Sequence, residues 1–168
     1  LVAAALLRRF GALGLRAAGM KPVAAGCEQG RNDDVEALLA AGMGGLERGL
    51  VCPYLFEPPI APHIAAAEAG VQIDLSVIER AFHTLSNQAD IVVVEGVGGF
   101  RVPLNEREDG GAIPKRLGLP VILVVGLRLG CLNHALLTQE AIEAEGLELA
   151  GWVANRIDPA MARAEENI

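Results

Sequence analysis

Positive charge is scarce in this chain. Of its 168 residues only Lys21 and Lys115 are lysines, and the net charge at pH 7 is −7. No cluster of Lys and Arg interleaved with aromatics occurs, so a nucleic-acid surface is not expected. Aromatic residues make up 4% of the chain, which leaves packing to Ala, Val, Leu and Gly. Cysteine is also sparse. Cys27, Cys52 and Cys131 share no C-x-x-C spacing, so neither a disulfide framework nor a zinc knuckle is favoured, and a reducing cytoplasm fits. No apolar run is long enough to cross a bilayer. The apolar opening Leu1 to Leu7 is short and precedes Arg8-Arg9, the reverse of the charge order in a secretory signal. These shortages together lead us to expect a soluble protein with no membrane or nucleic-acid partner.

Present in quantity are hydrophobic residues, 52% of the chain, enough for one domain with a substantial core. Leu1 to Leu15 has helical spacing but no N-cap in front of it. Arg16 to Gly26 reads as a short strand running into a Pro-Gly loop, with Lys21 at the strand end. A solvated loop lysine is the ordinary reading of Lys21; its place before a proline and a small-residue turn is the reason to single it out. Arg31-Asn32-Asp33-Asp34 opens a helix over Val35 to Leu39, with Asn32 or Asp33 as N-cap. Asp34 becomes a ligand only if a partner lies elsewhere. Val51 to Phe56 suggests a strand, and Glu57 to His63 a proline-stiffened wall, with His63 at a helix start. Helices follow at Ile64 to Gly70 and Asp74 to Gln88.

The most informative stretch is Ile91 to Phe100. Four β-branched residues end in Glu95-Gly96-Val97-Gly98-Gly99. The run predicts a central parallel strand buried on both faces. Two readings of its end stay open. Glu95 and the glycine loop form a ligand site at the carboxyl edge of the sheet, where backbone N–H groups can meet an anion; or they form a tight turn with Glu95 capping a helix. Leu119 to Val125 predicts another strand, and Gly130 to Asn133 leads into a helix over Ala135 to Ala144. That junction suits either an anion site or an ordinary capped loop. Leu147 to Ala154 predicts a last strand with Asn155 just past its end, and Asp158 to Ile168 the start of a helix. Alternating strands and helices give an α/β domain with a mostly parallel sheet. Lys21, Glu95, Arg128 to Asn133 and Asn155 all fall beyond strand carboxyl ends, so a single site is plausible.

Several segments resemble those of dethiobiotin synthetase in order and spacing. They are Lys21-Pro-Val-Ala-Ala-Gly, Arg31-Asn-Asp-Asp34, Pro62-His63, Val94-Glu95-Gly-Val-Gly-Gly99, Gly130-Cys-Leu-Asn-His-Ala-Leu-Leu-Thr138 and Gly151-Trp-Val-Ala-Asn155. The likeness covers nearly the whole chain. It implies a three-layer, P-loop NTPase-like α/β fold and a homodimeric, cytoplasmic enzyme of biotin synthesis that uses ATP and Mg2+. Such an enzyme carboxylates 7,8-diaminononanoate with CO2 and closes the cyclic urea. One amine captures CO2 as a carbamate, the carbamate oxygen attacks the γ-phosphate, and the second amine displaces phosphate. By resemblance Lys21 is catalytic and contacts substrate, and Asp34 and Glu95 are carboxylate ligands of magnesium beside the nucleotide. Gly96, Val97 and Gly98 lie along the phosphates, and Asn155 with Arg156 matches the adenine-reading position. Ala25, Cys131, Leu132 and Asn133 match substrate-binding positions, the last three at the helix start of a partner subunit.

The chain departs from that pattern in places. It contains no G-x-x-x-x-G-K-[ST] motif, so the resemblance implies that the first strand and phosphate loop are missing and that residues 1–168 are a single α/β domain cut at both ends. As written, such a chain is not expected to bind ATP productively. Ala25 stands where family members often have serine, leaving only a backbone contact. Asp109 to Pro114 looks less helical than its counterpart. Two alternatives follow: a partner-binding or regulatory member of the P-loop superfamily with impaired catalysis, or another ATP-dependent amidoligase.

Overall fold

The computed structural model describes Leu1–Ile168 as two compact units, Leu1–Gly110 and Gly111–Ile168. Every strand pairing within the three two-stranded sheets is parallel. The fold is therefore mixed α/β with parallel sheet, as the alternation of apolar runs and helical periods requires.

In the first unit, α1 (Val2–Ala12) starts on Leu1 without a side-chain cap. It packs on β1 (Ala17–Met20) and on α2 (Asp33–Ala41). Leu7 and Leu38 fill this core with Ala3 and Ala17. Close approach is possible because of Gly19, where a Cβ would come within 2.9 Å of both Leu38 Cβ and Leu7 Cδ1. β1 pairs in register with β4 (Ile91–Val94), Ala17 against Ile91 through Met20 against Val94. The Arg16 guanidinium and backbone N–H both bond Asp90 just ahead of this ladder.

Several expectations are corrected here. The segment after Pro22 is not a loop: Val23–Ala25 forms β2, which pairs with β3 (Tyr54–Phe56). Pro22 has no N–H to donate, so the β1 ladder cannot run through it, and the chain changes sheets there. Lys21 bridges the break, its N–H donating to the Val51 carbonyl at 2.8 Å. β4 is half-buried along its length rather than buried on both faces, and it pairs with β1 along one edge. Arg48–Val51 forms a short helix, α3, ahead of β3. The proline wall leads into α4 (Pro62–Glu68), and Asp74 caps α5 (Leu75–Ser86) by accepting from the Ser76 N–H at 2.8 Å.

In the second unit, α6 (Ala112–Leu117) accommodates Pro114 in its first turn, where no helical N–H is required. β5 (Val121–Gly126) pairs with β6 (Leu149–Asn155), and α7 (Cys131–Ala144) connects them. α7 begins four residues earlier than its apolar spacing predicts. Gly130 at φ 92° supplies the entry to the helix. The expected helix over 158–168 reduces to a 3-10 turn at Glu165–Asn167, since Arg163 adopts φ 57° and breaks helical continuity.

Candidate functional site

The register of β1 with β4 places residue 21 beside residue 95, each one step past the carboxyl end of its strand. The Glu95 N–H donates to the Met20 carbonyl at 2.7 Å and holds that step. Lys21 Nζ then donates to Glu95 Oε1 at 2.8 Å and to the Gly96 carbonyl at 3.4 Å. Asp34, in the first turn of α2, completes the group with its Oδ2 at 3.0 Å from the same ammonium. α2 lies across β1 through Leu38 and Gly19, so its N-terminus opens at this edge of the sheet. Three residues far apart in sequence thus meet on one nitrogen.

Lys21 is 6% exposed, which corrects the loop-lysine expectation. Burial by itself would lower its pKa. Hydrogen bonds and charge from Glu95 and Asp34 outweigh that effect and raise the pKa above the ordinary 10.5. The ammonium is therefore permanent at neutral pH, fixed, and shielded. Nearby, burial pushes the Cys52 thiol up to about 11, against the pull of the Lys21 charge. Cys52 is an inert core residue there.

Asn32 is the only other buried polar side chain. Its Oδ1 accepts from the N–H groups of Asp34 (3.1 Å) and Val35 (3.4 Å), and its Nδ2 donates to the carbonyls of Ala25 (3.4 Å) and Gly26 (3.3 Å). Sequence reasoning saw the capping half of this and missed the other half. The signal available was an Asn, with two donors, where Asp would cap equally well. Gly26, Arg31, Asn32 and Asp34 border a cavity of about 560 Å³ at the site's edge. Glu36 ties this corner to α3 through an ion pair with Arg48 and to the preceding turn through Arg31 at 3.2 Å.

The oxygens of Asp34, Glu95 and Gly96 converge on the Lys21 ammonium. Two carboxylates and a carbonyl gathered at one point are hard oxygen ligands, and Mg2+ usually takes one or two carboxylates with the rest from phosphate and water. The structure holds no group of three or more His, Cys, Asp or Glu side chains placed to hold a metal ion. Gly98, at φ 63°, turns the loop after Glu95 where a Cβ would meet Val102 Cγ2 at 2.9 Å. Val97 lies between the two glycines. His63 sits in the first turn of α4 as expected, with its Nδ1 buried and without a hydrogen-bond partner.

The other singled-out residues lie in the second unit. Asn155 is the last residue of β6, paired with Gly126, and its carbonyl accepts from the Leu127 N–H at 2.7 Å. Arg156 forms an ion pair with Glu165. Cys131, Leu132 and Asn133 form the first turn of α7. The Cys131 N–H donates to the Arg128 carbonyl at 3.0 Å, so that amide is engaged within its own loop.

Parallel strand pairs with helical connections make a mixed α/β fold of the kind found in P-loop NTPase-like domains. The family model described as AAA domain matches residues 1–168. The chain is 58% identical over 167 residues to the ATP-dependent dethiobiotin synthetase BioD of Nitrosospira multiformis, covering 99% of this chain and 74% of that protein. It is 58% identical over 173 residues to the protein of the same name from Aromatoleum aromaticum, covering 99% of this chain and 76% of that one. The chain belongs to the dethiobiotin synthetase family.

Proposed function

We propose that the protein carrying this chain is an ATP- and magnesium-dependent cyclo-ligase that carboxylates 7,8-diaminononanoate with CO2 and closes the ring of dethiobiotin. The observation that carries this reading is the Lys21 ammonium, buried and held within 3.0 Å of both Asp34 and Glu95. The carbamate formed from amine and CO2, and the mixed anhydride formed from it, are anionic. A preorganised ammonium with little water around it stabilises such charge where it develops, with no reorganisation during reaction. Magnesium, when bound, would neutralise phosphate charge, with Asp34 and Glu95 as its protein ligands. Gly96, Val97 and Gly98 follow the phosphates, and Asn155 with Arg156 reads adenine. Ala25 contacts substrate through its backbone, while Leu132, Asn133 and the neighbouring Cys131 hold its distant carboxylate.

A homodimer fits the exposed apolar residues around α7: Leu129 is 97% exposed, Leu136 59% and Leu137 57%, an unusual concentration for a surface that stays in water. Three free, buried cysteines suit a reducing cytoplasm, and no helix is long and apolar enough to cross a membrane. The test is phosphate release by the full-length protein in the presence of ATP, Mg2+, bicarbonate and 7,8-diaminononanoate. Release that depends on both the diamine and CO2 is expected. Release independent of CO2 would point instead to an amidoligase with a different acceptor, and no release would reject the assignment.

A further inference from the structure

The two buried polar side chains of the protein, Lys21 and Asn32, are joined through the same few residues. Lys21 precedes β2, which ends at Ala25; Asn32 reaches back to the Ala25 and Gly26 carbonyls and forward to the Asp34 N–H. One carboxamide therefore spans the turn after β2 and the start of α2, whose first turn carries Asp34. Capping alone does not require this. Serine or aspartate would satisfy the Asp34 and Val35 N–H groups as well as asparagine does. Only a side chain with two donors opposite its acceptor can hold both carbonyls at the same time.

We propose that Asn32 is a positioning residue of this site, setting the distance between the Ala25–Gly26 turn and the Asp34 carboxylate and so the geometry in which Asp34 meets Lys21 and a divalent cation. The inference rests on the reading of Asp34 and Glu95 as metal ligands. Gln29 and Gly30, both with positive φ, form the tip of the intervening turn, which Glu28 and Arg31 close by exchanging backbone hydrogen bonds at 2.9 and 3.0 Å; Asn32 is the side chain that ties the residues before this turn to the helix after it. Without the Asn32 donors, the turn after β2 keeps its backbone bonds to Phe56 and Pro58 but loses its side-chain tie to α2, so α2 and Asp34 can shift against it. A displacement of about 1 Å at a reacting centre can cost on the order of 100-fold in rate.

The discriminating variant is Asn32→Ser, which keeps the cap and removes the reach to the carbonyls. Mn2+ alone, titrated by electron paramagnetic resonance, reports the site directly, and kcat with its magnesium dependence reports the consequence. We expect a melting temperature within a few degrees of wild type, Mn2+ affinity weakened severalfold, and kcat lowered about tenfold or more. Wild-type Mn2+ affinity and kcat in Asn32→Ser would overturn the proposal. Should Asn32→Ser unfold, Asn32→Asp keeps a strong cap and lacks the same donors, so wild-type values there overturn it equally. Asp34→Asn runs beside both. If it too leaves Mn2+ binding unchanged, the metal reading has failed and takes the positioning role with it. If it weakens binding while Asn32→Ser does not, only the positioning role falls. In the double variant, Asn32→Ser should add little to the loss already caused by Asp34→Asn; a full additive loss would place its action elsewhere.

Discussion

Lys21 shows how an interaction can be both structural and chemical. Its side chain is 8% exposed, against 54% for Asp34 and 26% for Glu95, so the carboxylates remain partly hydrated while the ammonium depends on them. Lys21→Met should lower turnover by about 100-fold or more, because charge stabilisation of this kind is among the largest catalytic contributions. It should also cost about 1–2 kcal/mol of stability by denaturant titration, less than for a fully buried pair because the acids keep water. The pH dependence has a definite sign. The folded pKa of Lys21 is raised, so its contribution is complete below the unfolded value and is lost as pH rises through the folded one. Alkaline unfolding should therefore be steeper in wild type than in Lys21→Met. Cys52 has the opposite chemical character and the same alkaline limit. With its thiol pushed up to about 11 from 9.0, the native state withholds a proton release that the unfolded chain makes, and stability declines from about pH 9 upward. Ellman's reagent at pH 8 should find Cys52 unreactive until the protein is unfolded; rapid native labelling would show that the site opens.

At the scale of elements, the close approach of α1 and α2 to β1 depends on the missing side chain at Gly19. Gly19→Ala should destabilise the protein by about 1–3 kcal/mol, as overpacking does, measured by the shift in denaturant midpoint at constant m-value. Most elements here were legible beforehand: α5 from the spacing of Leu75, Ile78, Ala81 and Leu85, and β4 from its β-branched run, followed immediately by Glu95. Legibility failed where a local pattern was overruled by long-range pairing. Val23 to Ala25 carries no strand signal that separates it from a loop, and only pairing with Tyr54 to Phe56 makes it one. The burial of Lys21 is likewise invisible in a window of neighbours, since the acids that neutralise it are 13 and 74 residues away. Asn32 looks like a cap because capping is read from the residues after it, whereas its second role faces backward.

For the molecule as a whole, a net charge of −7 makes acid the more informative direction to push. Asp90, through hydrogen bonds from Arg16, and Glu36, through Arg48 and Arg31, are both lowered to about 2. Depressed carboxylates contribute above their unfolded values, about 4 for both, and lose that contribution as pH falls through about 2. Far-UV circular dichroism across pH 5 to about 1.5 should show a transition that flattens in an Asp90→Asn, Glu36→Gln double variant. An unchanged acid limb would mean that these exposed pairs add nothing measurable. Association should be evident at the same scale. Light scattering should find a dimer, and Leu136→Glu with Leu137→Glu should shift it to monomer; a wild-type monomer at tens of micromolar would remove α7 as the contact.

The break at Lys21-Pro22, where one continuous segment leaves the ladder with β4 and joins that with β3, makes this stretch intolerant of changes in length. Adding a single residue between Met20 and Val23 would reverse which face every later β2 side chain presents, or else carry the ammonium away from both acids. Sequence drift can alter the side chains lining this junction. It cannot alter their number, and a search for distant kin could use that fixed spacing as its yardstick.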